Sequence, residues 1–390
     1  MNTNTMDVKT FVKKYTMIIA LVVVFIFFTV LTEGKLIKAQ NISNLLLQNA
    51  YVLIMACGML LCILTGGNVD LSVGSTLCLS AALAAKTLEN GMHPFFAILI
   101  PMAVAVVIGV WQGWLIGYIH IPPFICTLAG MFLFRGFARV VLDSKTISVM
   151  NDGFLNLFKS YISIGAIDSK HNYVSAIIIG VIVAVVIVLS KVVGIANKKK
   201  KGYDTSNSTS ELVKAVVIGV VVIAYSIKLC EYKGIPVMLL WILAVVLIFH
   251  FVTSSTVFGR YFYAVGGNEK ATKLSGIDPR QVYFWAYFWM SVLAGFSGLL
   301  VAARIGSVDG NMGNSYEMDA IASCFIGGAS AYGGSGNIPG VMVGAILLGV
   351  INQGMSIYGL SDQWQYVVKG GVLLVAVVFD VVSNHKTGKS

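Results

Sequence analysis

Long apolar runs separated by short polar stretches set the frame of this chain. They lie near 17–31, 46–65, 71–88, 95–118, 124–142, 172–194, 212–230, 236–253, 281–303, 319–333, 338–356 and 365–383. A helix needs about 20 apolar residues to span a bilayer, so these runs predict roughly twelve crossings. The runs at 319–333 and 338–356 are short and glycine-rich, and they predict the least regular ones. Two interruptions differ from ordinary loops. In Thr65-Gly66-Gly67-Asn68-Val69-Asp70-Leu71-Ser72-Val73-Gly74-Ser75, a carboxylate stands directly between two apolar runs. Such a stretch predicts backbone that leaves the helix and re-enters it, with Asp70 or Ser72 capping the helix that follows. A plain tight loop at the membrane surface is the alternative. The second interruption, Gly327 to Gly340, carries glycines and serines at a density that lets short helices turn within the protein.

The most polar internal stretch, Gly259 to Gln281, sits between apolar runs. Asn268 suits an N-cap, Glu269 suits the positive end of a first turn, and Gly276 with Pro279 marks a stop. Between these marks a helix of barely two turns is predicted over Glu269–Ser275. A helix that short is marginal alone, because nucleation costs more than so few hydrogen bonds return. It is read either as a knob docked against a partner or as an ordinary basic cytoplasmic loop.

Composition agrees with a polytopic membrane protein. The chain is 57% hydrophobic and 11% charged, with a mean hydropathy of +0.85. The net charge of +10 does not point to nucleic acid, because the basic residues cluster at the ends of apolar runs. With the N-terminus inside, Lys198–Lys201, Arg260, Lys270, Lys273, Arg280, Lys386 and Lys389 all fall in the cytoplasm, as the positive-inside rule requires. Both termini are thereby predicted to be cytoplasmic. Lys9, Lys13 and Lys14 ahead of the first run resemble a signal peptide, but no small-x-small cleavage site follows, so a retained span is expected. The six cysteines lie in or beside apolar runs without metal-site spacing and read as packing thiols.

No catalytic constellation or metal-ligand spacing is legible, and no enzyme is expected. The terminal Gly388-Lys389-Ser390 imitates a phosphate-binding loop but lacks both the earlier glycine and a following helix. The ionisable residues within runs are few: Asp70, Arg135, Arg139, Arg304, Glu317, Asp319, Lys369 and Asp380. Lys369 and Asp380 lie near enough to span ends to snorkel. Arg135 and Arg139, four apart, share a face, and Arg135 is expected to hold backbone carbonyls or an acid. No chain of acids suggests a proton wire. If the chain moves something uphill, the energy comes from an ion gradient or from a separate ATPase, and Glu269–Ser275 has the form of a docking site for the latter.

Four motifs carry a family resemblance. Gly67-Asn68-Val69-Asp70-Leu71-Ser72-Val73-Gly74-Ser75 comes first, then Phe124-Ile125-Cys126-Thr127-Leu128 with Arg135-Gly136. Gly266-Gly267-Asn268-Glu269-Lys270-Ala271-Thr272-Lys273-Leu274-Ser275-Gly276-Ile277 is the third, and Glu317-Met318-Asp319-Ala320-Ile321-Ala322 with Gly327-Gly328 the fourth. In this order, over about 15–383, they resemble the permease subunits of bacterial monosaccharide ABC importers, the ribose, xylose and galactose branch. The resemblance implies an all-α membrane bundle of the cobalamin-importer class, with about ten core helices and a second permease copy, most simply a homodimer. It also implies an extracytoplasmic sugar-binding protein and an ABC ATPase that holds the ATP and magnesium, the permease itself needing no cofactor. In the matching loop, Gly267, Asn268, Glu269, Ala271, Thr272, Leu274, Ser275 and Gly276 would contact that ATPase. The stretch 172–230 is an insertion relative to ribose-type members. It is expected to be a peripheral helix pair, and it tilts the substrate toward xylose or several sugars.

A sugar is neutral and rich in hydroxyls, so its path needs room and a few polar groups. Asn68, Asp70, Ser72 and Ser75 in the first interruption, with Ser323, Ser330 and Asn337 in the second region, are the expected path residues. Glu317 and Asp319 are assigned to binding-protein contact or to the path entrance. The whole chain is read as one multi-pass permease domain of a bacterial plasma membrane, working by alternating access. The rival reading is a secondary sugar transporter or facilitator driven by a gradient.

Overall fold

A computed structural model describes residues 8–164, 168, 173–202 and 208–385. Lys386 and Lys389 lie outside the described residues, as do the side chains of Lys9, Lys13, Lys14 and Asp380. The described chain is helical almost throughout. It begins with α1 (Val8–Leu31), α2 (Ala39–Leu64), α3 (Val73–Glu89), α4 (Pro94–Gly117) and α5 (Pro123–Val141). A short amphipathic α6 (Asp152–Lys159) precedes the hairpin of α7 (Val174–Lys200) and α8 (Ser208–Cys230). Then come α9 (Val237–Ser255), α10 (Val257–Gly267), α11 (Glu269–Leu274), α12 (Pro279–Ile305), α13 (Tyr316–Ile326), α14 (Ile338–Tyr358) and α15 (Asp362–His385). Two antiparallel two-residue ladders tie the loops at one end: β1 (Ile147–Ser148) with β4 (Ser307–Val308), and β2 (Tyr161–Ile162) with β3 (Ile235–Pro236).

Every predicted run falls on a helix, but the runs are not equal crossings. Among the described residues, eight helices are long and apolar enough to span a membrane: α2, α4, α5, α7, α8, α9, α12 and α14. The run at 319–333 is corrected. Its helix α13 has 11 residues, about 16 Å of length against the roughly 30 Å of a bilayer core, and gives way at Gly327 to a non-helical stretch. Helix α3 is likewise short, with 17 residues entered through the non-helical segment 65–72. Each of these belongs to a crossing broken by non-helical turns and bends.

Helices α2 and α12 form the centre. Asn49 to Thr65 are buried without interruption, and α12 is buried along most of its length. Apolar lipid gives helices no hydrophobic reason to associate, so close packing of small residues supplies the contact. On α4, Gly109, Gly113 and Gly117 recur every four residues against α12. A Cβ there would come within 2.8 Å of the Phe288 carbonyl, 2.7 Å of Phe284's and 2.5 Å of Arg280's respectively. The α7–α8 pair packs mainly on itself, Gly180 against Ser226, with much of its Val and Ile surface turned outward.

The basic stretches gather at one end. The α7–α8 tip with Lys198–Lys201, the α10–α11 segment and the start of α12 all lie opposite the two β ladders. The positive-inside rule predicts that this end faces the cytoplasm. Asn197, exposed near the end of α7, provides the check. Asn197→Cys should react with a membrane-impermeant maleimide in inside-out vesicles and stay unlabelled on intact cells. The six native cysteines are all buried and contribute no background.

Candidate functional site

The α10–α11 segment folds as its cap residues dictate. Asn268 is the N-cap of α11, its side chain accepting the Ala271 N–H at 2.9 Å. Gly276 in the left-handed region (φ 86°) ends the turn. Asp278 then caps α12, accepting the Arg280 N–H at 3.0 Å. The Arg280 guanidinium bonds the same carboxylate and holds the Asp278 carboxyl below its ordinary value.

The expected ATPase-contact residues Ala271, Thr272 and Ser275 do not share one environment. Thr272 is 6% exposed, and its hydroxyl donates to the Ala264 and Asn268 carbonyls, each at 2.8 Å. One residue is a turn of about 100° on a helix, so Thr272 points into the protein while Ala271 points out. Gly267, Asn268, Glu269, Ala271, Ser275 and Gly276 are exposed. Leu274 is 90% exposed, an apolar side chain on an otherwise polar knob. Tyr283 of α12 donates to Glu269 at 3.1 Å, fixing the knob from its other side.

Three separate glycine pairs meet behind this knob. A Cβ on Gly266 would lie 1.8 Å from the Leu64 carbonyl at the end of α2. One on Gly67 would lie 1.9 Å from the Ala331 carbonyl, and one on Gly333 would lie 2.5 Å from the Gly66 Cα. Gly334 completes the junction by donating its N–H to Leu64 at 3.0 Å, and Tyr263 of α10 donates to the Gly336 carbonyl at 3.0 Å. Both interrupted stretches and the α10–α11 segment are therefore in backbone contact at one point.

The expected path residues divide by depth. Asp70, Ser72, Ser75 and Ser323 are fully buried, Asn68 and Ser330 are half-buried, and Asn337 is exposed. Asp70 does not cap α3. Its carboxylate instead accepts the Ser72 N–H at 2.8 Å and the Ser72 hydroxyl at 2.7 Å, closing a tight turn ahead of the helix. Ser72 is the N-cap, but its hydroxyl is committed to Asp70 and makes no cap bond. Gln112 of α4 donates to Ser72 at 2.8 Å and accepts from Ser291 of α12 at 3.1 Å. Neither Gln112 nor Ser291 was marked by its run, since each stands alone among apolar neighbours. Asp70 Oδ2 and the Ser75 hydroxyl are buried without a protein partner. Ser323 donates to the Asp319 carbonyl, Ser330 accepts the Tyr332 N–H, and Asn337 caps α14 by accepting from Gly340 at 2.8 Å.

Glu317 and Asp319, expected at a binding-protein contact or at the path entrance, are buried within the subunit, at 8% and 2% exposure. The Glu317 carboxylate packs on Gly74, where a Cβ would meet it at 2.4 Å. Asp319 accepts from Tyr51 of α2 at 2.7 Å and from Lys369 of α15 at 3.1 Å. Lys369 therefore does not snorkel; it is held inward by a buried acid. Arg135 behaves as expected, donating to the Gly310 and Met312 carbonyls of the α12–α13 connection, while Arg139 reaches Asn311 at 3.2 Å.

Comparison with known proteins gives this arrangement a family. The model of the branched-chain amino acid transport system / permease component family matches residues 41–377. The chain belongs to this family. The permease is 34% identical over 373 residues to the xylose transport system permease protein of Haemophilus influenzae, covering 95% of this chain and 97% of that one. It is 31% identical to the ribose import permease protein of Bacillus subtilis, over 88% of this chain and 85% of that one. The galactose/methyl galactoside import permease protein of Escherichia coli is 29% identical, over 94% and 92% respectively. No solved structure matches the permease.

Two stability measurements on the purified permease test the site. At Gly67, with φ 75° and no space, alanine should cost roughly 3 kcal/mol or more. At Gly276, with φ 86° but open surroundings, it should cost only about 1 kcal/mol. Similar thermal shifts for the two would show that the junction is not tight. Asp70→Asn keeps an acceptor for Ser72 and should be mild, whereas Asp70→Leu orphans a buried N–H and hydroxyl at about 1–3 kcal/mol each. Equal losses in the two variants would mean that Asp70 acts through its charge.

Proposed function

We propose that this permease is the membrane-spanning subunit of an ABC importer that carries a monosaccharide, xylose or several sugars, into the cytoplasm. The family description names one component of a transport system, and relatives matched over nearly the whole chain are named for xylose, ribose and galactose. Those sugars are neutral and hydroxyl-rich, in keeping with a site built from amides, hydroxyls and one closed ion pair. A separate ATPase would supply the energy, an extracytoplasmic binding protein the sugar, and a second permease copy the other wall of the route. The cobalamin-importer-like arrangement of helices belongs to the same proposal.

One observation carries the mechanical reading: the exposed α10–α11 knob is in backbone contact with both broken crossings. A partner that docks on Ala271, Leu274 and Ser275 would move the junction formed by Gly66–Gly67 and Gly333–Gly334. The expected path residues Asn68, Asp70, Ser72, Ser75, Ser323, Ser330 and Asn337 would then form the closed part of the route, opened when these stretches separate. A self-sufficient carrier, the rival reading, leaves the knob and its exposed leucine without a task.

The test uses permease, ATPase and binding protein reconstituted together. Uptake of sugar should follow ATP and ignore an imposed proton or sodium gradient. Ala271→Trp places a bulky ring on the docking face and should leave the permease inserted while abolishing sugar-stimulated ATP hydrolysis. Normal coupled hydrolysis in that variant would reduce α10–α11 to a topological signal.

A further inference from the structure

At the end of the bundle opposite α10–α11, five helices border an open cavity of about 400 Å³, within the range of about 300–1,000 Å³ typical of small-molecule sites. It lies between the first half of α2, the last turn of α12, the start of α13, the last turns of α14 and the start of α15. No aliphatic side chain lines it. Gln48, Asn352 and Gln365 contribute amides, Ser356 a hydroxyl, Arg304 a guanidinium, Asp362 a carboxylate at the rim, and Tyr316 and Tyr366 rings. Polar groups inside a membrane bundle are expensive and mark routes or sites rather than packing. The neighbouring groove between α1, α14 and α15 shows the ordinary case, lined by residues such as Met17, Leu347, Val372 and Val375.

Two polar atoms of these lining residues, Arg304 Nε and Asn352 Oδ1, are buried without a hydrogen-bond partner among the described residues. Leaving such atoms unpaired costs about 1–3 kcal/mol each, unless a ligand or water completes them. One is a donor and the other an acceptor, and a ligand hydroxyl can serve as either partner.

Below the cavity the charges are already closed. Asp319 receives both the Tyr51 hydroxyl and the Lys369 ammonium, and the Tyr51 ring stacks on Tyr316 with centroids 3.8 Å apart. A second cavity of about 230 Å³ shares Tyr366 and Lys369 but continues past Ala322, Leu348 and Leu373. Ser315 and Asp319 are its other polar lining residues. A neutral polyol finds most of its partners above the ion pair and a largely apolar wall below it.

We propose that this cavity is the monosaccharide-binding station of the permease, with the Asp319–Lys369 pair as its floor. The proposal rests on the reading that the chain carries a sugar, and assigns that sugar a place that the two broken crossings do not supply.

The test places a reporter on the wall, Ser356→Cys, in the complete importer without ATP. The native cysteines are buried, so a small maleimide reports the added one. The ligand is whichever of D-xylose, D-ribose and D-galactose the wild-type importer takes up. At saturation it should slow labelling about tenfold, because only the unoccupied site reacts. L-leucine at the same concentration should leave labelling unchanged, and adding Asn352→Leu should remove the sugar's protection. Unchanged labelling, with wild-type sugar uptake intact, overturns the station and leaves the sugar-importer reading standing. Protection by leucine with no uptake of any of the three sugars overturns that reading as well.

Discussion

No side chain fits between the carbonyl of Leu64 and the backbone of Gly266, and the rest of the structure depends on that restriction. Two crossings in this bundle are broken, and broken backbone at membrane depth must be covered by protein. Here the cover is other backbone. Gly66 and Gly67 meet Ala331 and Gly333, while Gly334 donates to the carbonyl that α2 leaves unpaired at its end. A methyl group at Gly67 or Gly266 would separate the segments and expose the polar groups that they hide. Glycine is required here for close approach, and at Gly67 also for a φ of 75°.

The same device recurs wherever helices must lie close. Gly344 packs on the Ser323 carbonyl and Gly327 on the backbone of Val341, so α13 and α14 touch along their broken ends. Gly109, Gly113 and Gly117 bring α4 onto α12. Buried hydrogen bonds then fix what glycine contact alone leaves free to slide. Gln112 links Ser72 to Ser291 between the first break, α4 and α12, and Asp319 links Tyr51 to Lys369 between α2, α13 and α15. The α7–α8 hairpin has its own small-residue seam and few ties of this kind to the remaining helices.

Element positions were largely legible in the sequence, because apolar length and cap chemistry are local. Asn268, Gly276 and Pro279 bounded α11 to within one residue, and the two breaks stood out through their glycines and Asp70. What the residues do to one another was less legible, because partners are chosen by the fold. Asp70 resembles a cap in one dimension, but the fold turns its carboxylate onto Ser72. Thr272 looked equivalent to Ala271 until the direction of α10 decided which of them faces the protein. Lys369 sits where a snorkelling lysine would sit, and only the approach of α13 supplies the acid that holds it inward. The polar cavity draws on five helices, from one residue each on α12 and α13 to four on α15, and no single run revealed it.

The two ends of the bundle are joined by the same pair of helices. Helix α2 carries Tyr51 beside the polar cavity and Leu64 at the glycine junction, about 20 Å apart along one rigid rod. Helix α13 carries Asp319 under the cavity and runs directly into the stretch that contributes Ala331, Gly333 and Gly334. A close-packed helix does not compress, so it transmits displacement instead of absorbing it. Any shift of α10–α11 that parts Gly266 from Leu64 must therefore act on the two helices whose side chains, Tyr51 and Asp319, form the floor with Lys369. The linkage also runs in the other direction. A ligand that fixes the arrangement of α2, α13 and α15 biases the junction by its difference in affinity between the two arrangements, and by no more than that. That reciprocity is what an importer needs if an occupied station is to be felt at the surface where the ATPase would dock.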